Sequence, residues 1–312
     1  MSDNSQIVNF FKNQTIFITG GNGLVGKLIL EKLLRTCWDL KKIYLLMRPK
    51  KGKSPEQRFS ELFTNPCFES IKGKNFKSKV VLISGDCNQP GLGLNPEDVY
   101  ILKKETMCIF HLAANVNFLQ TIKETSYVVG CTKEMIKLAK EMANLKIFVY
   151  VSTAYSNCMK SHIREEIYEP PIKAEDFLDL VNSCSEDDLE NTVLPYLNTF
   201  PNNYIFSKCL SEDLIKNSTT GIPTAIIRPA IITNTIKEPI PGYTDNYYGV
   251  IGVTTGVYVG IIRCFYSIKG KRLNLVPADV VSNCILAATW KTANSKSFTV
   301  YNCVGKKIIV GK

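Results

Sequence analysis

Thr15 to Lys27 reads TIFITGGNGLVGK, and this stretch decides the fold. Residues 16–19 are apolar or β-branched, which predicts a short buried strand. Gly20, Gly21, Gly23 and Gly26 arrive where that strand must turn into a helix over residues 24–34, whose apolar positions recur at helical spacing. Glycine is needed there because the backbone turns tightly and approaches a diphosphate closely. A side chain at Gly20 or Gly23 blocks that approach, and one at Gly26 holds the helix off the sheet. The cofactor cradle expected from this stretch is Gly20, Gly21, Asn22, Gly23, Leu24, Val25 and Gly26, with amides at the helix start facing the phosphates. The spacing is G-x-x-G-x-x-G rather than G-x-G-x-x-G, so the strand before it and the helix after it carry the reading.

Working outward, strand patterns recur at residues 42–47, 79–84, 106–111, 147–152, 223–228 and 297–302. Helical patterns cover 119–143, 203–217 and 279–290. This alternation predicts an α/β protein: a doubly wound parallel sheet of Rossmann type with a small substrate-binding subdomain. Residues 1–312 then form one NADP-binding domain, with substrate-binding insertions at about 157–203 and 233–276.

Ligands gather at the carboxyl ends of such strands. Strand two ends in Arg48 and PKKGKS with no acidic residue, which favours NADPH over NADH, with Lys50 or Lys51 as helpers; Arg48 as a plain surface residue is the alternative. Asp86 and Cys87 follow strand three, where Asp86 either accepts a hydrogen bond from adenine or caps a turn. Ala113 and Ala114 follow strand four and let the backbone pass close to a ribose or nicotinamide. His111 reads as a packed strand residue.

Composition narrows the classes. With 45% hydrophobic residues there is material for a full core, and eleven cysteines without a C-x-x-C pair argue for a reducing compartment and against a disulfide frame or a metal site. The N-terminus lacks the apolar core of a signal peptide, so a cytosol-facing, intracellular location is expected. The net charge of +10 concentrates between Lys41 and Lys79, where eleven basic residues face three acidic ones. That is either a solvated face or a field for phosphorylated ligands or an anionic membrane; no nucleic-acid module accompanies it. Residues 161–190 carry ten acidic residues against Arg164, Lys173 and His162, and read as short helices forming a lid or substrate wall. Residues 247–266, YYGVIGVTTGVYVGIIRCFY, suit a buried helix beside an acyl pocket or, less well because of Arg263, a membrane span.

Tyr204 and Lys208 lie four apart and share one helix face. Fourteen tyrosines and 31 lysines make one or two such pairs expected by accident, and Tyr100–Lys104 is a second. Tyr204 is selected because its helix follows the strand that ends in Ser152 and Thr153. Carbonyl reduction needs a proton donor and hydrogen bonds at fixed places around a developing oxyanion. Tyr204 donates that proton, Lys208 lowers the phenol's pKa and holds the ribose, and Thr153, with Ser152 as the alternative, holds the carbonyl oxygen.

These elements together resemble the extended short-chain dehydrogenase/reductase superfamily. FITGGNGLVGKLILEKLLR, IYLLMRPKKGKS, HLAANVNF, VSTAYSNC, YEPP, NNYIFSKCLSEDLI, IIRPAIIT and LNLVPADVV resemble, in order and spacing, the fatty acyl-CoA reductases, from about Phe11 to Cys303. The resemblance implies NADPH-dependent reduction of a long-chain acyl-CoA to a fatty alcohol through an aldehyde, with release of CoA. It also implies peripheral membrane association, at the peroxisomal or endoplasmic reticulum membrane. The family's further helical domain, which often carries an anchor, is expected to be absent, since the chain stops at GKKIIVGK. Ala278 replaces the usual valine of a late P-V-D element. The rival expectations are another extended reductase or epimerase, acting on a steroid, flavonoid or nucleotide sugar, and a non-catalytic NADP-binding short form.

Overall fold

Every residue of Thr15–Thr19 is buried, as a strand covered on both faces must be. The computed structural model describes residues 5–266, 272–305 and 307–309. In chain order its strands are β1 (Thr15–Thr19), β2 (Lys42–Met47), β3 (Val80–Ser84), β4 (Cys108–His111), β5 (Ile147–Val151), β6 (Thr224–Pro229), β7 (Ile231–Thr233), β8 (Arg272–Pro277), β9 (Phe298–Cys303) and β10 (Lys307–Ile309). Its helices are α1 (Gln6–Phe11), α2 (Leu24–Thr36), α3 (Pro55–Leu62), α4 (Pro96–Glu105), α5 (Ile122–Lys140), α6 (Ala174–Ser183), α7 (Glu186–Leu197), α8 (Asn203–Ser218), α9 (Gly249–Tyr258) and α10 (Ala278–Ser295).

Seven strands form one parallel sheet in the order β3-β2-β1-β4-β5-β6-β9. The order reverses between β1 and β4, and this switch point is where an open α/β sheet leaves a crevice for a ligand. Register places the ends together: Thr19 lies opposite both Leu46 and His111, and Met47 opposite Ser84. Alternate residues of β1 feed two cores. Ile16 and Ile18 join Leu30, Leu33, Val281 and Ile285 on the face covered by α2 and α10, while Phe17 joins Val129, Met135, Phe206 and Leu210 under α5 and α8. The doubly wound architecture is as the sequence predicts.

A small sheet, β10-β8-β7, sits apart from the large one and has no counterpart in the sequence reading. Helix α5 begins at Ile122 rather than near 119, because Thr121 and Glu124 form a reciprocal capping box that fixes the start. The stretch 247–266 corrects its expectation. Helix α9 covers only Gly249–Tyr258 and buries none of its residues, and Tyr258, Ile261 and Tyr266 are 91%, 81% and 89% exposed. It is neither a buried wall nor a span, and among the described residues no helix is long and apolar enough to cross a membrane. Of the acidic segment, α6 buries Ala174, Phe177 and Leu178 against the α5–α8 face.

Candidate active site

The glycine cradle is built as its spacing requires. Gly20 has φ +74°, and a Cβ there would stand 2.7 Å from the Ala113 nitrogen, so the β1 and β4 ends touch backbone to backbone. A Cβ on Gly26 would meet the Gly20 carbonyl and come within 2.6 Å of Gly21 Cα, which lets α2 start directly against the loop. Ser5, Ser54, Asn95, Thr121, Ser185 and Asn202 each cap the helix that follows them with a side chain, whereas Gly23 caps α2 with none. The first-turn amides of α2, from Leu24 and Val25 onward, are therefore left facing the crevice beside Asn22, the arrangement that binds an anion.

At the adenosine end, Arg48 Nη1 lies 3.4 Å from Asp86 Oδ1, so the two sequence-selected residues from the ends of β2 and β3 meet. Asp86 also caps its own turn, accepting from the Asn88 amide at 3.0 Å. Cys87 faces the α5 side of the sheet with Cys131, whose thiol is pushed up by its contact with Cys87 and by burial. A cavity of about 370 Å³ opens beside Asn22 and is lined by Lys27, Lys50, Lys51, Lys53 and Arg58, with one carboxylate, Glu61, paired to Lys53. Burial and the charges of Arg48, Arg58 and Lys51 hold the Lys50 ammonium below its ordinary range, and burial and Arg48 do the same to Arg58. Cations crowded at mutual cost are relieved by an anion such as a phosphate. Sequence reasoning reached Lys50 and Lys51. Arg58, which donates to the Arg48 carbonyl, was reached only as one member of the basic stretch Lys41 to Lys79, and Lys27, which is paired with Asp245, was missed, its one signal being its place next to Gly26.

At the other end stand the residues that the sequence selects as candidates for the reaction. Lys208 is buried on α8 and donates to the Val151 carbonyl at 2.7 Å and to the Tyr150 hydroxyl at 3.2 Å. Its Nζ lies 4.5 Å from the centre of the Tyr150 ring. Burial lowers the Lys208 pKa to about 7 against the pull of Glu212. Behind it runs a row of buried polar side chains. Ser211 contacts the Tyr150 hydroxyl; Thr132 Oγ1 lies 3.4 Å from Ser211 Oγ and 3.3 Å from His111 Nε2; His111 Nδ1 lies 2.7 Å from Thr19 Oγ1. Thr19 accepts from the Ala113 amide at 3.3 Å, so the row ends at the cofactor-side loop. Burial and Lys208 push the His111 pKa down to about 3, which keeps the imidazole neutral and packed, as the sequence reading has it. Tyr150 was not foreseen; its signal was its place two residues before Ser152 on the same strand.

Tyr204 sits in the first turn of α8, and burial pushes its phenol up to about 12. Lys208 is turned toward β5, so the lowering of the phenol expected from their spacing is not expressed in the free protein. Thr153 is buried and its Oγ1 accepts from the Tyr155 amide at 3.3 Å. Ser152 Oγ is buried with no hydrogen-bond partner among the described residues. A buried hydroxyl left unmatched at a strand end calls for a ligand, and it restores Ser152 beside Thr153 as a candidate to hold a carbonyl oxygen.

The glycine cradle and the uncapped α2 together fit a dinucleotide. The model of the NAD-binding male sterility protein family matches residues 18–285. The chain belongs to this family. It is 38% identical over 310 residues to fatty acyl-CoA reductase wat of Drosophila melanogaster, covering 97% of this chain and 60% of that protein. Fatty acyl-CoA reductase 1 of Homo sapiens is 35% identical over 303 residues, covering 95% and 59%. The chain therefore spans about three fifths of the length of these relatives. Among solved structures, the terminal R domain of the myxalamid PKS-NRPS biosynthetic pathway superposes with TM-score 0.70 at 24% identity, covering 96% of this chain and 68% of that one. Vestitone reductase from alfalfa superposes with TM-score 0.55 at 19% identity, covering 95% and 78%. These last two establish the fold alone. The family and the cradle give the domain a nicotinamide dinucleotide as its cofactor.

Proposed function

We propose that this domain reduces the thioester of a long-chain acyl-CoA with NADPH to a fatty alcohol, by way of an aldehyde and with release of CoA. What supports the reading is Lys208, one helical turn after Tyr204 on α8, bonded to the Val151 carbonyl immediately before the Ser152 and Thr153 hydroxyls, in a chain 38% identical to a fatty acyl-CoA reductase over nearly its whole length. The nicotinamide supplies hydride to the carbonyl carbon in each of two rounds. In the first round the strand hydroxyl holds the thioester oxygen and Tyr204 gives it a proton, yielding a hemithioacetal that expels the CoA thiol and leaves an aldehyde. In the second, the same groups hold and protonate the aldehyde oxygen to give the alcohol. Lys208 holds the ribose and supports the phenolate between proton transfers. Arg48, with Lys50, Lys51 and Arg58 around the cationic cavity, takes the phosphate that distinguishes NADPH from NADH.

The exposed apolar helix α9, followed by Lys269, Lys271 and Arg272 in sequence, supports peripheral association with a cytosol-facing membrane. The enzymatic reading is tested by incubating the protein with palmitoyl-CoA and NADPH and identifying products by mass spectrometry. Hexadecanol and free CoA are expected, lost in Tyr204→Phe. NADPH binding without acyl-dependent oxidation across a panel of acyl-CoAs overturns it.

A further inference from the structure

The loop between β4 and α5 departs from the economy of the rest of the sheet. Its residues Val116, Phe118 and Leu119 are 57%, 62% and 89% exposed, three bulky apolar side chains within four positions. Exposed apolar clusters of this kind mark binding surfaces. The loop is held in shape rather than left slack. Asn115 accepts from the Asn117 amide at 3.1 Å, Asn117 from the Leu119 amide at 3.0 Å, and Asn203 at the head of α8 donates to the Gln120 carbonyl at 2.8 Å. That last bond fixes the loop to the turn of helix that carries Tyr204. The consequence is direct: the Phe118 ring lies against the Tyr204 ring, centroids 5.7 Å apart at 37°.

The two ends of the crevice differ in kind. The end beside Asn22 is lined by Lys27, Lys50, Lys51, Lys53 and Arg58. The end at Tyr204 is bordered by Leu112 to Thr121, a stretch without a single charged residue. The first end suits phosphates, and the second offers an uncharged surface with the exposed apolar side chains of Val116, Phe118 and Leu119 next to the Tyr204 hydroxyl. We propose that Val116, Phe118 and Leu119 form the subsite for the first methylenes of the acyl chain, with Phe118 packing the chain against Tyr204 so that the carbonyl is presented to the phenol. The inference rests on the acyl reading above and adds to it the residues that recognise the chain. Each methylene covered by such a surface is worth roughly four-fold in affinity.

The test uses the double variant Phe118→Ser/Leu119→Ser, whose wild-type side chains face solvent and whose folding is checked by thermal unfolding. The ratio of kcat/KM for octanoyl-CoA to that for acetyl-CoA is expected to fall by about ten-fold or more, the loss of two to three covered methylenes. Tyr100→Ser, an exposed aromatic on α4 remote from the crevice, serves as the control and leaves the ratio unchanged. An unaltered ratio in the double variant, or an equal loss for both substrates, overturns the subsite. The Kd for cis-parinaroyl-CoA, read by polyene fluorescence in the presence of NADP, gives a second readout. A ten-fold weakening in the double variant supports the subsite even if no substrate turns over, which would count against the proposed reaction alone. An unchanged Kd rejects the subsite whatever the turnover.

Discussion

Adding one methyl group at Gly26 separates two roles of the glycine loop, support of the sheet and reception of the cofactor. The Cβ of Gly26→Ala would lie 2.6 Å from Gly21 Cα and 2.9 Å from Gly21 C, and closer still to the Gly20 carbonyl. All three neighbours are backbone, so no side chain can swing aside. Restoring ordinary contact, about 3.4 Å, requires Gly21 to retreat by about 0.8 Å and the Gly20 carbonyl by more. Overpacking of this kind costs about 1–3 kcal/mol, and alanine in a helix returns up to about 1 kcal/mol relative to glycine. The net loss of stability is thus modest, about 0–2 kcal/mol. Binding suffers more, because the displaced amides no longer converge on the diphosphate. Losing a single charge-assisted hydrogen bond, about 1.5–3 kcal/mol, weakens NADPH by roughly 10- to 100-fold. Gly130, within α5, has open space where an added methyl group would stand and is the control: Gly130→Ala is expected to gain about 0.5–1 kcal/mol and to bind NADPH normally. Fluorescence titration with NADPH beside thermal unfolding measures both quantities. Gly26→Ala binding within about two-fold of wild type would refute the argument that this position sets the distance between α2 and the phosphates.

Two further outcomes follow from buried charge. Because burial brings the Lys208 pKa to about 7, the free protein holds this amine partly neutral at neutral pH and wholly neutral a few units above. An anionic cofactor that needs the ammonium must draw a proton in as it binds, so NADPH binding at pH 8 should take up close to one proton, measurable by calorimetry in buffers of different ionisation enthalpy and absent in Lys208→Met; equal observed heats in all the buffers would sink this. The sign for stability runs the same way: the folded pKa lies below that of a free lysine, so this group favours the folded state increasingly as pH rises from about 7 toward 10.5. The second outcome concerns Arg228, fully buried, which grips Glu212 through two bonds of 2.9 and 2.6 Å and donates to the carbonyls of Arg164 and Glu166. Arg228→Met leaves an unpaired buried carboxylate and should cost about 3–5 kcal/mol in denaturant unfolding, with much of it recovered in the double variant Arg228→Met/Glu212→Leu; a double variant no more stable than the single one contradicts the assignment.

How far the sequence could be read depended on whether a feature is local. The β1 strand, the glycine turn and α2 are contiguous, so backbone geometry alone implied them. Tyr204 and Lys208 were legible because helical periodicity brings residues four apart to one face. Arg48 and Asp86 were found separately from strand ends, and the parallel register of β2 with β3 brings them together. What escaped depends on contacts between distant segments. Nothing local pairs Lys27 with Asp245 or sets Phe118 on Tyr204, since each joins elements far apart in the chain. The apolar stretch 247–266 misled because hydropathy reports what a segment tolerates and not what covers it.

The polar row from Lys208 to Thr19 explains why the reacting end of the crevice tolerates a buried amine at all. An isolated ammonium in a dry core is strongly disfavoured, and among the described residues Lys208 has the Val151 carbonyl and the Tyr150 hydroxyl as its direct acceptors. The Tyr150 hydroxyl accepts from the ammonium on its oxygen and has Ser211 beside it as its other hydrogen-bond partner. Ser211 in turn meets Thr132, which meets a neutral His111 able to donate from one ring nitrogen and accept at the other. His111 then closes on Thr19, whose oxygen holds the Ala113 amide against Gly20. The state of the lysine and the position of the loop that packs on the glycine cradle are thus joined by one set of hydrogen bonds. Removing His111's ring, as in His111→Leu, leaves both Thr19 and Thr132 short of a partner and should therefore disturb the cradle as well as the amine, although His111 itself never reaches the crevice.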